Sequence, residues 1–397
     1  MSHQEANHEF CKRLPKIELH AHLNGSIREE TLVELARERG VELPPEFHDG
    51  FHTNRDPSQF LNSKPRSLVD CFHIFSFIPK CVSDVAALER ITREALEDAA
   101  DENICYIELR TGPKILFHHE GEVCTKEDYL GTIIRVMESF ERRELNRYEA
   151  NRQRRESSET RLPLIPRLIV SVDRSKTVEE AYENVDLAIE LKASGCKQIV
   201  GVELGGDPTK NDFGEHFLPV FSKARRHGLP ISIHCGEVPM ARESRDRPDL
   251  VRAHEEALSI LKFGPERLGH SLLISEDLGV MLDDLLIPVE VCPTSNVLTL
   301  ELANHEEGCL LKGIQNHPQL RKWLDSKYPI SLNTDDAGIF ATTLTREYAL
   351  VAKAFHLSKI DLSNMLIDSV ETIFDPGKEK LKQAITARVN MMLGLDE

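Results

Sequence analysis

Two histidines one residue apart, His20 and His22, close an apolar run, Pro15 to Leu23, that alternates as a strand does. Alternation sends side chains i and i+2 to one face, so both imidazoles can meet one metal ion. A lone His-x-His also arises by chance on surface strands, so this reading depends on ligands from later in the chain. Three later segments offer them. The run Pro230 to Cys235 carries His234 and is followed by Glu237; Arg267 to Ser271 carries His270; Pro329 to Leu332 leads into Asn333, Thr334, Asp335 and Asp336. His20, His22, His234 and Asp335 make a borderline-hard donor set that suits one zinc ion, with a water completing the coordination. Glu237, three residues past His234, is a candidate proton donor placed to face a substrate without binding the ion. His270 and Asp336 flank the activated water, where a carboxylate or an imidazole can take its proton.

These residues lie far apart in the sequence, so the fold must gather them. Eight short apolar runs end in polar groups, near residues 16–22, 104–110, 168–173, 199–207, 230–237, 267–271, 287–296 and 329–336, and most are followed by a helix-sized segment. This is the pattern of a parallel (β/α)8 TIM barrel of the metal-dependent hydrolase type, whose mouth collects the C-terminal ends of all eight strands. Barrel hydrolases with two metals commonly bridge them with a modified lysine at strand four. Here that strand ends Glu203-Leu204-Gly205-Gly206-Asp207, so one ion is expected. Ser26 is placed to cap a helix from Ile27 to Arg39 that Gly40 closes. Helical patterns at 68–78 and 85–101, after a Pro- and Asn-rich stretch, suggest a lid over about 41–101. The Arg- and Glu-rich stretch 141–161 reads as a solvated helix end and surface insertion, because its mixed signs give little field. Without a linker or repeat, residues 1–397 are expected to form one domain.

Composition narrows the function. The net charge of −17 argues against nucleic acid, whose phosphates demand a basic face. No apolar run reaches the roughly 18 residues of a membrane span, and the N-terminus lacks a signal-peptide core. Nine cysteines without a CxxC pair suggest reduced thiols and a cytoplasmic protein. No coiled-coil seam is visible, and a monomer is expected.

Six segments in order, His-Ala-His-Leu-Asn-Gly, Gly-Gly-Asp, His-Cys-Gly-Glu, Leu-Gly-His-Ser, Cys-Pro-Thr-Ser-Asn and Asn-Thr-Asp-Asp, together resemble the adenosine deaminase family. The resemblance implies a zinc barrel in which His20, His22, His234 and Asp335 hold the metal. It further implies that Glu237 protonates purine N1, that His270 and Asp336 position the water attacking C6, and that Gly206 contacts the purine through its backbone. Asn24, where deaminases of adenosine resemble one another in an aspartate, and Thr111-Gly112-Pro113-Lys114 are similar to the branch that converts N6-methyl-AMP to IMP and methylamine. Physics agrees with a purine nucleotide as substrate. A carboxylate at position 24 would repel a phosphate, whereas an amide donates to it and Lys114 supplies a local cation. By the same resemblance His22 also faces the substrate, Asp173 is a sugar or lid contact, and a lid histidine is expected where Pro79 stands, with His73 the nearest substitute. The alternatives are an adenosine or adenine deaminase of the same fold, and a purine-binding protein without turnover.

Overall fold

The computed structural model describes residues 4–43, 68–117, 121–153, 161–302 and 310–395. Its barrel strands are β1 Lys16–His22, β2 Ile104–Thr111, β3 Ile165–Asp173, β4 Ile199–Gly205, β5 Ile231–Cys235, β6 Arg267–His270, β7 Val289–Val291 and β8 Ile330–Leu332. They pair in chain order in one sheet, and each neighbouring pair along it is parallel. The sheet closes on itself just past β8: Ala21 bridges Asp335 in parallel, His22 N–H donates to the Asp335 carbonyl at 2.9 Å and Asp335 N–H to the His20 carbonyl at 2.8 Å. This is the expected (β/α)8 barrel.

Strand alternation divides the side chains into two environments. On β1, Ile17, Leu19 and Ala21 face the helical ring and are at most 3 % exposed, while Glu18, His20 and His22 face inward. A fully covered parallel sheet accounts for strands that read as nearly continuous apolar runs. The helix Val85–Asp101 shows how the outer layer is built. Ala87, Leu88, Ile91, Ala95, Leu96 and Ala99 recur at three- and four-residue spacing and are buried. Asp84 caps this helix, accepting from Ala87 N–H at 2.8 Å, an interaction that contributes about 1 kcal/mol and that Asp84→Ala would remove.

Several local expectations are revised. Ser26 does not cap the first long helix: its hydroxyl donates to the His22 carbonyl at 2.8 Å, and the helix runs Glu29–Arg39 with no side-chain cap, closed as expected by Gly40 at φ 63°. Only Val289–Val291 of the seventh run is strand, because Pro293 opens the helix Pro293–Thr299, a first-turn position where its missing N–H costs nothing. The helix Leu68–Cys81 continues through Pro79. Within the expected lid, residues 44–67 lie outside the described residues. Residues 141–153 end the helix Lys126–Gln153, and 154–160 likewise lie outside the description. Glu144 in this stretch is buried, held by Arg147 at 3.1 Å and Arg161 at 2.5 Å.

Candidate active site

His20 and His22 end β1, and their Nε2 atoms each lie 3.4 Å from the same Asp335 Oδ1. That separation is long for a hydrogen bond, but donors about 2.05 Å from one tetrahedral ion stand about 3.3 Å apart. His234, on β5, packs its ring 4.7 Å from that of His20 and 5.4 Å from that of His22, centroid to centroid. Its Nδ1 lies 3.0 Å from the Leu204 carbonyl, which fixes that nitrogen as the donor and leaves Nε2 for a ligand. His20 Nδ1 lies 2.7 Å from Glu290 Oε2, while its buried Nε2 has no hydrogen-bond partner. The donor set therefore fits a metal ion. Among the described residues, the compact groupings of ligand atoms are His20 with His234 and His270, His20 with Cys292 and Asp335, and His22 with Glu203 and His234. The four expected ligands are spread across all three.

Backbone conformation aims the remaining groups. Strict alternation along β6 would turn His270 away from Arg267 and out of the barrel. Instead His270 and Ser271 adopt φ of 63° and 52°, which costs energy for side-chain-bearing residues and brings His270 Nε2 to 3.8 Å from Glu237 Oε1 and 3.9 Å from Asp335 Oδ2. Asp335 is also left-handed, at φ 64°, and accepts from Ser295 Oγ at 2.7 Å. Burial raises the Glu237 carboxyl, against the pull of Arg174, to about 7, and its Oε2 has no partner. Burial holds His270 down at about 3, so its ring is neutral. Burial and the adjacent Asp335 push Asp336 well above the carboxylate range. Asp336 lies against Gly25, where a Cβ would stand 1.6 Å from Oδ1.

The expected substrate residues lie at neighbouring strand ends. Asn24 Nδ2 donates to Thr111 Oγ1 at 3.2 Å, and Thr111 Oγ1 is 3.0 Å from the buried Tyr129 hydroxyl. Gly112 is half-buried and Pro113 buried, and both lead from Thr111 to an exposed Lys114. Local desolvation draws the Lys114 ammonium down, and Asp173 pulls it back up. Asp173 Oδ1 accepts from Ser175 N–H at 2.8 Å and backs onto Gly206, whose φ of 93° and missing Cβ, 2.4 Å from that oxygen, no other residue would match. His73 is exposed on the helix Leu68–Cys81.

A model of the family described as adenosine deaminase matches residues 15–391. The chain belongs to the adenosine deaminase family. It is 34% identical over 381 residues, 95% of this chain and 96% of the relative, to a protein named N6-mAMP deaminase from Arabidopsis thaliana. The apo structure of the N6-methyl-AMP deaminase from Arabidopsis thaliana matches with a TM-score of 0.73 at 33% identity, covering 97% of this chain and 98% of that one. An Arabidopsis ADAL crystal structure complexed with IMP matches with a TM-score of 0.71 at 33% identity, over 96% and 98% of the two chains. This adenosine deaminase family member is thus a hydrolytic deaminase.

Beneath the imidazoles lies a layer that sequence reasoning missed. Glu18, Glu108, Arg110, Glu203, Arg267 and Glu290 are each at most 1 % exposed, where barrels usually stack aliphatic side chains. Arg110 bridges Glu203 at 2.5 Å and Glu290 at 2.9 Å, and Arg267 bridges Glu290 at 2.6 Å and Glu108 at 2.5 Å. Glu290 in turn holds His20. The available signal was an ionisable residue at the centre of an apolar run, as in Val289-Glu290-Val291 and Leu109-Arg110-Thr111, since such a group is buried only with a partner. Among the described residues no helix is long and apolar enough to cross a membrane.

Proposed function

We propose that the protein is a zinc-dependent deaminase of 6-aminopurine nucleoside monophosphates, converting N6-methyl-AMP and water to IMP and methylamine. The observation that carries this reading is the layout of the mouth. One Asp335 oxygen sits 3.4 Å from two imidazole nitrogens, and Glu237, 3.8 Å from His270 Nε2 through Oε1, keeps its Oε2 without a hydrogen-bond partner. Zinc, when bound by His20, His22, His234 and Asp335, supplies Lewis-acid activation of the attacking water. Glu237, protonated up to about pH 7, holds the proton that purine N1 takes as C6 is attacked. His270 and Asp336 orient the water.

The nucleotide preference rests on Asn24 and Lys114. A carboxylate at position 24, about 6 Å from a phosphate charge, would cost about 3 kcal/mol at an effective dielectric constant of about 20. The amide removes that cost, and Lys114 adds a cation. The names of the Arabidopsis relative and of the IMP complex support the same substrate class. A family match over 15–391 supports one catalytic domain, and the free state of the cysteines among the described residues supports a reducing, cytoplasmic setting. Turnover of N6-methyl-AMP, AMP and adenosine by the zinc-replete protein, assayed side by side, tests the proposal. N6-methyl-AMP is expected to lead, and adenosine turnover alone would discard the nucleotide assignment while keeping the chemistry.

A further inference from the structure

Behind His270 runs a chain of hydrogen bonds whose direction the backbone sets. His317 Nδ1 lies 3.2 Å from Gln319 N–H and 3.0 Å from Leu320 N–H. A backbone N–H can only donate, so this nitrogen is the acceptor and the His317 proton sits on Nε2. That Nε2 lies 3.2 Å from Asn296 Oδ1, so the amide oxygen accepts and the amide nitrogen is left to donate. Asn296 Nδ2 lies 3.1 Å from His270 Nδ1. His270 Nδ1 is therefore an acceptor, and a neutral ring then carries its proton on Nε2, the nitrogen that faces Glu237 and Asp335. Every member is sealed from water: His270 is 3 %, Asn296 1 % and His317 4 % exposed.

We infer that Asn296 and His317 are positioning residues that lock His270 as the Nε2–H tautomer, making it a hydrogen-bond donor to the reacting water and keeping it out of the metal's ligand set. The second consequence resolves an ambiguity of the mouth. His270 offers a ring nitrogen within 4.8 Å of ligand atoms of His20 and His234, yet an imidazole binds a metal only through an unprotonated nitrogen. Its one unprotonated nitrogen is spent on Asn296. The first consequence divides the chemistry, since a ring that donates through Nε2 does not take the water's proton. Burial holding His317 at about 4, and so neutral, agrees with its place in the chain.

The inference deepens the deaminase reading and rests on it for the water, but its test does not need turnover. Nitrogen-15 NMR of histidine-labelled, zinc-loaded protein distinguishes protonated from unprotonated ring nitrogens. In the parent protein His270 is expected to show an unprotonated Nδ1 and a protonated Nε2; the opposite pattern would overturn the inference whatever the activity. Asn296→Asp replaces the donor with a carboxylate that accepts from Nδ1–H, so the pattern should invert. The freed Nε2 should then alter the visible spectrum of the cobalt-substituted protein. Losing one preorganised donor should lower kcat by about 10²–10³ with KM little changed. His317→Leu, a second variant, lets the Asn296 amide turn and should give a mixture of tautomers, whereas His317→Gln, which still donates to Asn296, should restore the parent pattern. An unchanged pattern in both Asn296→Asp and His317→Leu would sink the relay. A parent protein with the expected tautomer but no deaminase turnover would instead count against the proposed function alone.

Discussion

The floor and the mouth of the barrel are both built from buried ionisable residues and follow opposite rules. On the floor, Glu108, Arg267, Glu290, Arg110 and Glu203 form an unbroken alternation of sign with contacts of 2.5–2.9 Å. Burial would raise its carboxylates, but the guanidinium groups outweigh it and hold Glu203 below, and Glu290 well below, the ordinary value. A few ångströms above, His20 Nε2 and Glu237 Oε2 have no hydrogen-bond partner, and His270, Ser271 and Asp335 adopt left-handed backbone at the site. Buried polar atoms are almost always satisfied. A floor whose charges are paired, with Arg110 Nε left without a hydrogen bond, lies beneath a mouth whose imidazole and carboxyl atoms stand open: the floor fixes the geometry, and the mouth is completed by what binds.

The contrast can be broken in steps. Chelation should abolish turnover, and zinc should restore it, while far-ultraviolet circular dichroism stays unchanged because the floor needs no ion; collapse of the spectrum would show that the two regions are not separable. Glu237→Gln should keep zinc stoichiometry and lower kcat by about 10²–10⁴, and full activity would remove the proton-donor role. Because Glu237 is raised to about 7, its acid form prevails below that pH and is lost above it. The kcat should therefore fall by about tenfold per unit once pH passes about 7, and a rate still rising there would assign the proton to another group. Arg267→Met attacks the floor instead, leaving Glu108 and Glu290 undercompensated. A loss of about 3–5 kcal/mol is expected from denaturant unfolding, and a smaller loss would mean the network relaxes around the gap. Asn24→Asp should shift the ratio of kcat/KM for nucleotide over nucleoside down by about ten- to a hundredfold, with an unmoved ratio arguing against phosphate beside residue 24. His73→Ala, at an exposed position, should change kcat/KM by no more than about twofold.

The mouth was the more legible of the two regions. His20, His22 and His234 lie on strands, where periodicity tells which side a side chain takes, while Glu237 and Asp335 follow just past the ends of β5 and β8. His270 was legible as a residue but not as an orientation, since it reaches the site only through a positive φ that no pattern of apolar residues encodes. The floor escaped notice because its charges are single residues inside apolar runs, and a partner on a distant strand, as Arg110 on β2 is to Glu290 on β7, leaves no local trace. Ser26 looked like a cap because caps are local chemistry, but the tight turn after β1 gave its hydroxyl a nearer acceptor. The run into Cys292-Pro293 read as strand until its proline, a good first residue for a helix, proved to be one.

The seam where the barrel closes runs through the reacting centre. Asp335 exchanges backbone hydrogen bonds with both His20 and His22, and just below, Leu19 N–H donates to the Asn333 side chain across 314 residues of chain. During synthesis, at about 5–20 residues per second, the first strand leaves the ribosome tens of seconds before its partner. The metal site therefore cannot assemble on a nascent or prematurely ended chain. A truncated product lacking the last strand would carry the histidines but no closed ring, and the cell would never face a half-made version of this enzyme at work.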